Sequence, residues 1–188
     1  MLDAFEPAPG LLTASELADL TDEAAGSRVE VERNERDEFS LAEGERLLGP
    51  VRNQWSTAGT RRADLHGELA ERLAGRLGPD PVPTVSCYLY YGTGDFIDLH
   101  KDQPRCEVEL LVWLAGDAGP LCLHPELAAL PPEELLATAR SGVHPPGVAV
   151  RLQDAPLLLA GGVIPHHRPP HGGRERVALA AFCFALGP

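Results

Sequence analysis

Residues 88–102 read YLYYGTGDFIDLHKD, and no other stretch constrains the fold as much. Tyr88 and Tyr90 fall at strand spacing, Gly92-Thr93-Gly94 breaks the run, and Phe96 and Ile97 resume it just before His100 and Asp102. Side chains on an extended chain repeat every two residues. His100 and Asp102 therefore project from one face, close enough to hold a cation between an imidazole nitrogen and a carboxylate oxygen.

The segments around this pair carry further strand signals. Strands are expected at 84–91, 96–100, 106–115 and 119–124, with return strands at 148–152 and 156–160 and an apolar strand from Val177 to Phe184. Val108 to Leu114 is apolar on both faces for most of its length, as a barrel strand covered by helices would be. Gly116-Asp117-Ala118-Gly119 reads as a hairpin turn. Pro79, Pro81 and Pro83 lack backbone donors, so 78–83 reads as a linker into the strands.

The preceding 80 residues read as mostly helical. Thr13-Ala14-Ser15-Glu16 has capping-box spacing, with Leu12 and Leu17 placed as a hydrophobic staple, and predicts a helix over 14–25. Val29 and Val31 predict a short strand, and 33–38 an exposed turn. Ser40-Leu41-Ala42-Glu43 repeats the capping-box pattern and predicts a short helix ended by Gly49-Pro50. Leucines at 65, 69, 73 and 77 form one stripe of a helix over 60–77, with His66 facing solvent. Residues 124–147 form an insertion between barrel strands, with a helix from Pro131 or Pro132 to Arg140. The 188 residues suit one domain. On this reading, 1–80 is helical support and 84–186 is a mainly β core interrupted at 124–147.

A second histidine motif lies far downstream. Val163-Ile164-Pro165-His166-His167 is followed by Arg174, Arg176 and the apolar run from Val177. Two histidines and one carboxylate with open coordination positions are the ligand set of non-haem Fe(II) oxygenases. His100, Asp102 and His166 would supply it, with His167 as the alternative distal ligand, because Pro165 and Pro170 allow either register.

These motifs jointly resemble the Fe(II)/2-oxoglutarate-dependent dioxygenase superfamily, in its prolyl 4-hydroxylase-like branch. Tyr91-Gly92-Thr93-Gly94 precedes His100 by the branch's nine residues and Asp102 by two more; His166, Pro170 and Arg176 fit its distal half. The resemblance spans about residues 84–186. It implies a double-stranded β-helix, a jelly-roll or cupin-like barrel buttressed by N-terminal helices, with Fe(II), 2-oxoglutarate and O₂ as cofactor and cosubstrates. It further implies a cation for the C5 carboxylate of 2-oxoglutarate, for which Arg176 ranks first because it shares a face with the small residues Ala178 and Ala180; Arg174 ranks second. A phenol toward the same cosubstrate would come from Tyr91 or Tyr90. Asp102 occupies the position that halogenases of this class leave to Gly or Ala, which points to hydroxylation of an unactivated C–H bond. An amino acid, a peptide residue or a natural-product intermediate would suit as substrate.

Composition narrows the partners. Sixteen Lys and Arg against 28 Asp and Glu give a net charge of −12, which repels phosphate backbones and anionic membranes, so neither nucleic acid nor membrane is expected as a partner. Cys87, Cys106, Cys122 and Cys183 sit in or beside apolar runs with no CxxC pair, and read as buried reduced thiols of a cytoplasmic protein. Two other function classes share the metal ligands: a cupin-like metalloenzyme that does not use 2-oxoglutarate, and a metal-binding or sensing module without turnover. A buried cation for the cosubstrate separates the oxygenase from both.

Overall fold

The longest ladder of the chain joins two strands almost 90 residues apart, β6 (Pro81–Tyr91) and β13 (Val177–Leu186), from Tyr91 opposite Val177 to Pro81 opposite Leu186. The structure is a computed structural model that describes residues 4–42, 45–77, 80–117, 119–143 and 145–187. Before this ladder come β1 (Phe5–Pro7), α1 (Ala14–Gly26), β2 (Glu32–Arg36), β3 (Ser40–Ala42), β4 (Arg46–Leu48), β5 (Val51–Ser56) and α2 (Thr60–Leu73). Between its strands lie β7 (Phe96–His100), β8 (Val108–Ala115), β9 (Leu121–Leu123), α3 (Pro132–Ser141), β10 (Val148–Val150), β11 (Leu157–Leu159) and β12 (His166–Arg168).

One antiparallel sheet runs β1-β11-β8-β13-β6-β5-β7-β12-β9-β10, with β2 on β5. It curls until β11-β8-β13-β6 faces β7-β12-β9-β10, the two layers of a jelly roll, as the sequence predicts. Strand parity then divides the core. On β6 and β13, Tyr88, Tyr90, Ala178, Ala180 and Phe182 turn outward and pack with Leu20, Leu65, Leu69 and Leu73 of α1 and α2. Tyr91, Val177, Leu179 and Ala181 turn inward and pack with Leu121, Leu123 and Leu157 across the roll. α3 packs on β3 and β4, where Leu135 and Leu136 meet Leu47 and Leu99.

α1 forms as its signature predicts: the Thr13 hydroxyl accepts from the Glu16 N–H, and the Glu16 carboxylate accepts from the Thr13 N–H. α2 begins at Gly59, which offers no side-chain cap. Glu23 of α1 replaces it, accepting from the N–H groups of Arg61 and Arg62 at 2.8 and 2.9 Å and from the Tyr88 hydroxyl at 2.6 Å. Gly59 is required there, because a Cβ would lie 2.3 Å from the Glu23 carboxyl carbon.

Several local expectations are corrected. Residues 32–36 are a strand, not a turn, paired along β5, a strand that the mixed polar sequence of 51–56 did not reveal. Ser40–Ala42 and Arg46–Leu48 form a hairpin where a capping box predicted a helix; Glu43 lies outside the described residues. Tertiary pairing overrides the local signal, because Lys101 N–H bonds to Leu47 O and Asp98 N–H to Pro50 O, tying this segment to β7. Pro81 and Pro83 enter β6 itself, at the end where only β13 pairs with it and no donor is needed toward β5. α2 ends at Leu73. His66 is buried, its Nε2 2.9 Å from the Cys183 carbonyl and its ring against Phe182 and Phe184, because α2 lies across β13 with a stripe wider than the leucines alone. The cysteines are not all reduced: Cys106 and Cys183, separated by 77 residues, form a disulfide with Cα atoms 4.8 Å apart, brought together by the β8–β13 pairing. No described helix is long and apolar enough to cross a membrane.

Burial works against ionising Glu23, but the Tyr88 hydroxyl and the two backbone donors outweigh it and hold the carboxyl below its ordinary 4.5. Hydrogen bonds to a charged group contribute about 1.5–3 kcal/mol, so Glu23→Ala is expected to destabilise the fold by about 2–3 kcal/mol, read from the urea midpoint at unchanged slope. A folded-state value below the unfolded one means that the contribution is complete above the ordinary value and is lost as pH falls through the folded one. The gap between parent and variant should therefore narrow below about pH 4.5. A gap independent of pH from 3 to 7 would assign the loss to packing.

Candidate metal centre and buried cavity

The end of β7 and the start of β12 are adjacent strands, with His166 opposite His100. Their imidazole rings lie 4.2 Å apart, and Asp102, just past β7, places Oδ1 3.6 Å from His100 Nε2 and 3.7 Å from His166 Nε2. One ligand atom from each of the three residues falls within 4.8 Å of the others. Each ring has Nδ1 2.9 Å from a backbone carbonyl, that of Asp98 for His100 and that of Ile164 for His166. A carbonyl can only accept, so Nδ1 carries the proton and Nε2 keeps its lone pair toward Asp102.

Asp102 is held by its own backbone, its N–H donating to Gly161 O at 2.9 Å. Its Oδ2 is buried with no hydrogen-bond partner among the described residues. Gly161 makes room for that oxygen, since a Cβ there would lie 1.8 Å from it. Burial would raise the Asp102 carboxyl, but His166, His100 and Arg46 outweigh it and hold it low. Burial and the neighbouring His100 push His166 down to about 4, which keeps it neutral. Two aligned lone pairs, an ionised carboxylate and an orphaned buried oxygen fit a divalent cation of the Fe(II) type.

His167 points the other way, as strand alternation requires. Its Nδ1 lies 3.0 Å from His124 Nε2, with the two rings stacked, and His124 Nδ1 lies 3.2 Å from Glu126.

The three residues open onto a cavity of about 430 Å³ between the two layers of the roll. Tyr91 lines it, and its hydroxyl accepts from Asn53 at 3.3 Å. Tyr90 does not: its hydroxyl donates to Ala24 O under α1. Arg176 is also off the cavity, bonded to Gln54 and set over the Tyr90 ring. It shares a face with Ala178 and Ala180, as its parity predicts, but those small residues make room for helices, not for a ligand. Arg174 is exposed.

The cation inside the roll is Arg168, 2% exposed and 5.2 Å from the Tyr91 ring. Its signal was present in the sequence: it follows His166 by two strand residues, the same parity that paired His100 with Asp102. Glu109 was hidden inside the apolar run of β8. It lines the cavity, and burial together with Asp102 pushes its carboxyl well above the ordinary range against the pull of Arg168. Arg36 and Arg46 line the same cavity, from segments read as a turn and a helix. Cys106, Cys183 and Glu109 also lie within 4.8 Å of one another, but the two sulfurs are spent on their mutual bond.

No family model and no curated protein matches the sequence. Solved structures do match. A prolyl-4-hydroxylase from Pseudomonas putida aligns over 98% of this chain and 94% of its own at 16% identity, with a TM-score of 0.57. AviO1 from Streptomyces viridochromogenes Tue57 aligns over 99% and 92% at 19% identity, with a TM-score of 0.67. HygX from Streptomyces hygroscopicus, solved with nickel, 2-oxoglutarate and hygromycin B, aligns over 97% and 83% at 16% identity, with a TM-score of 0.60. At these identities the likeness is one of fold, and the fold is the jelly roll that 2-oxoglutarate–Fe(II) oxygenases use.

Two substitutions test the metal centre. His166→Ala is expected to weaken Co(II) binding at least about 100-fold by anaerobic calorimetry, beyond the roughly 10–100-fold typical of losing an outer partner, while His167→Ala stays within that range. The reverse order would shift the register of β12 by one residue. Gly161→Ala replaces no candidate ligand, yet its Cβ should displace the Asp102 carboxylate and weaken Co(II) binding at least about tenfold. Gly162→Ala, where a Cβ would come no closer than 3.4 Å to any neighbour, is the control. Equal affinities in the two glycine variants would disconnect Gly161 from the carboxylate.

Proposed function

We propose that this chain is an Fe(II)- and 2-oxoglutarate-dependent oxygenase that hydroxylates an unactivated C–H bond. The observation that carries the reading is the convergence of His100, Asp102 and His166 on one cavity that also holds the buried guanidinium of Arg168. When bound, Fe(II) and 2-oxoglutarate supply the reduction of O₂, one oxygen atom going to the substrate and the other to succinate as CO₂ is lost.

The chain's own residues prepare that chemistry. The backbone carbonyls of Asp98 and Ile164 fix both imidazoles with Nε2 toward the metal. Arg168, buried and always charged, holds the C5 carboxylate, for which a planar guanidinium offers two parallel donors. Tyr91 lies against Arg168, and its hydroxyl is free to donate to the same carboxylate while Asn53 donates to its oxygen. Burial pushes the Glu109 carboxyl up, which favours its uncharged form beside an anionic cosubstrate. Leu111, Leu121 and Leu179 exclude water from this end of the cavity. The cation inside the roll is also what disfavours the cupin-like and sensing alternatives, which need no carboxylate clamp. HygX, solved with nickel and 2-oxoglutarate, supports the same pair of ligands here. An amino acid, a peptide residue or a natural-product intermediate suits the cavity as substrate.

Replacing Arg168 tests the reading. Charge-assisted hydrogen bonds contribute about 1.5–3 kcal/mol, so Arg168→Gln is expected to raise the dissociation constant for 2-oxoglutarate at least about tenfold. The charge-transfer band of the anaerobic Fe(II) form reads this, and Fe(II) affinity without cosubstrate should stay within a few-fold. Arg176→Gln should leave the band's titration unchanged. If Arg176→Gln weakens it and Arg168→Gln does not, the clamp is the one the sequence spacing implied. If the parent forms no such band and releases no succinate in O₂, the chain is not a 2-oxoglutarate enzyme.

A further inference from the structure

Three guanidiniums line a cavity in a chain whose net charge is −12, and the metal and cosubstrate account for only one of them. Arg36 closes β2 and Arg46 opens β4, so the two come from different strands to the same wall. Both are half-buried, and neither makes an ion pair among the described residues. Arg36 Nη1 donates to Gly49 O at 2.9 Å, which anchors the side chain without neutralising it. Arg46 Nε is buried with no hydrogen-bond partner among the described residues. A buried, unpaired donor on a charged group is costly, and in the wall of a cavity a ligand acceptor would relieve that cost.

Asp102 does not fill that role once the site is loaded. In the metal-free chain its charge acts on Arg46, though the two form no ion pair. With a divalent cation bound, its charge is taken up by the metal; the metal, Asp102, the dianionic cosubstrate and Arg168 then sum to zero. Arg36 and Arg46 remain as two guanidiniums against the single carboxyl of Glu109 in the rest of the lining. Among the described residues lining the cavity, the only carboxylates are Asp102 and Glu109.

We propose that Arg36 and Arg46 are the substrate dock, and that the substrate carries an oxyanion, a carboxylate or a phosphate, which they hold next to the metal centre. This rests on the oxygenase reading and gives it a substrate class. Guanidinium forks match either oxyanion with paired donors. On a chain whose net charge repels anions, a cavity lined by guanidiniums is a place where one can be held. Trp55 and Val85, lining the cavity with the two arginines, offer apolar surface for the uncharged part of the molecule.

The full-length Fe(II)–2-oxoglutarate form, kept anaerobic, tests this by titration with butyrate, inorganic phosphate and neutral butyramide at low ionic strength, the charge-transfer band reporting occupancy beside the metal. At least one anion should perturb the band saturably, and butyramide should not. The anion's midpoint should rise at least about tenfold in Arg36→Gln and in Arg46→Gln, as loss of a charged hydrogen bond implies. It should stay unchanged in Arg52→Gln, whose side chain pairs with Glu35 outside the cavity. Butyrate alone would identify a carboxylate-bearing substrate, and phosphate alone a phosphorylated one. Butyramide acting like butyrate, neither anion acting, or both cavity variants titrating like the parent overturns the proposal. So does a loss confined to 2-oxoglutarate affinity, which would give these arginines to the cosubstrate. Absence of the band in the parent is a separate failure, that of the oxygenase reading itself, and it takes the dock with it.

Discussion

The ladder between β6 and β13 is the constraint on which the rest depends. It fixes one register from Val177 to Phe182 before a bulge shifts it, and that register decides which side chains face the helices and which face the cavity. A slip of one residue would put Tyr88, Tyr90 and Phe182 into the roll and Tyr91, Leu179 and Ala181 under α1 and α2. Burial of both faces makes the slip expensive, because each set fits only its own side. The helices therefore position the metal centre indirectly: Glu23 caps α2 and holds Tyr88, and so keys the outer face of the sheet whose inner face forms the cavity wall.

Within the cavity, partners decide what burial does to a carboxyl. Burial raises both acids, but two imidazoles and Arg46 outweigh it at Asp102 and hold that carboxyl low, while at Glu109 the neighbouring Asp102 adds to burial and Arg168 does not offset them. Two acids in one cavity are thus pushed in opposite directions by their neighbours.

The cluster of His100, Asp102 and His166 was legible in the sequence because strand parity sets most of its geometry. His100 and Asp102 meet by strand parity, and parity also separates His166 from His167 once the strand is placed. The capping box at Thr13 was equally readable, since all of its parts lie within four residues. What failed was whatever depended on a distant partner. The same capping pattern at Ser40 lost to backbone pairing with β7, and His66 was buried by a strand more than 100 residues away. Arg176 was favoured for its small neighbours, and Ala178 and Ala180 are small because helices lie over them. Arg168 has the same parity as His166, but its strand is three residues long and shifts register between the two, so its burial depends on pairing with β7 that the sequence does not display.

The disulfide has a chemical meaning beyond closing a loop. An oxygen-activating centre endangers its own lining, and thiolate sulfur is the group most easily carried up the oxidation ladder. Cys106 and Cys183 share the cavity wall with the metal ligands, and as a bonded pair they present no thiolate to attack. Cys87, the free cysteine on the same wall, is protected differently: burial pushes its thiol up to about 12, so it stays protonated at neutral pH. On the oxygenase reading, the three cysteine sulfurs of the cavity wall are thus held in two unreactive forms, bonded and protonated.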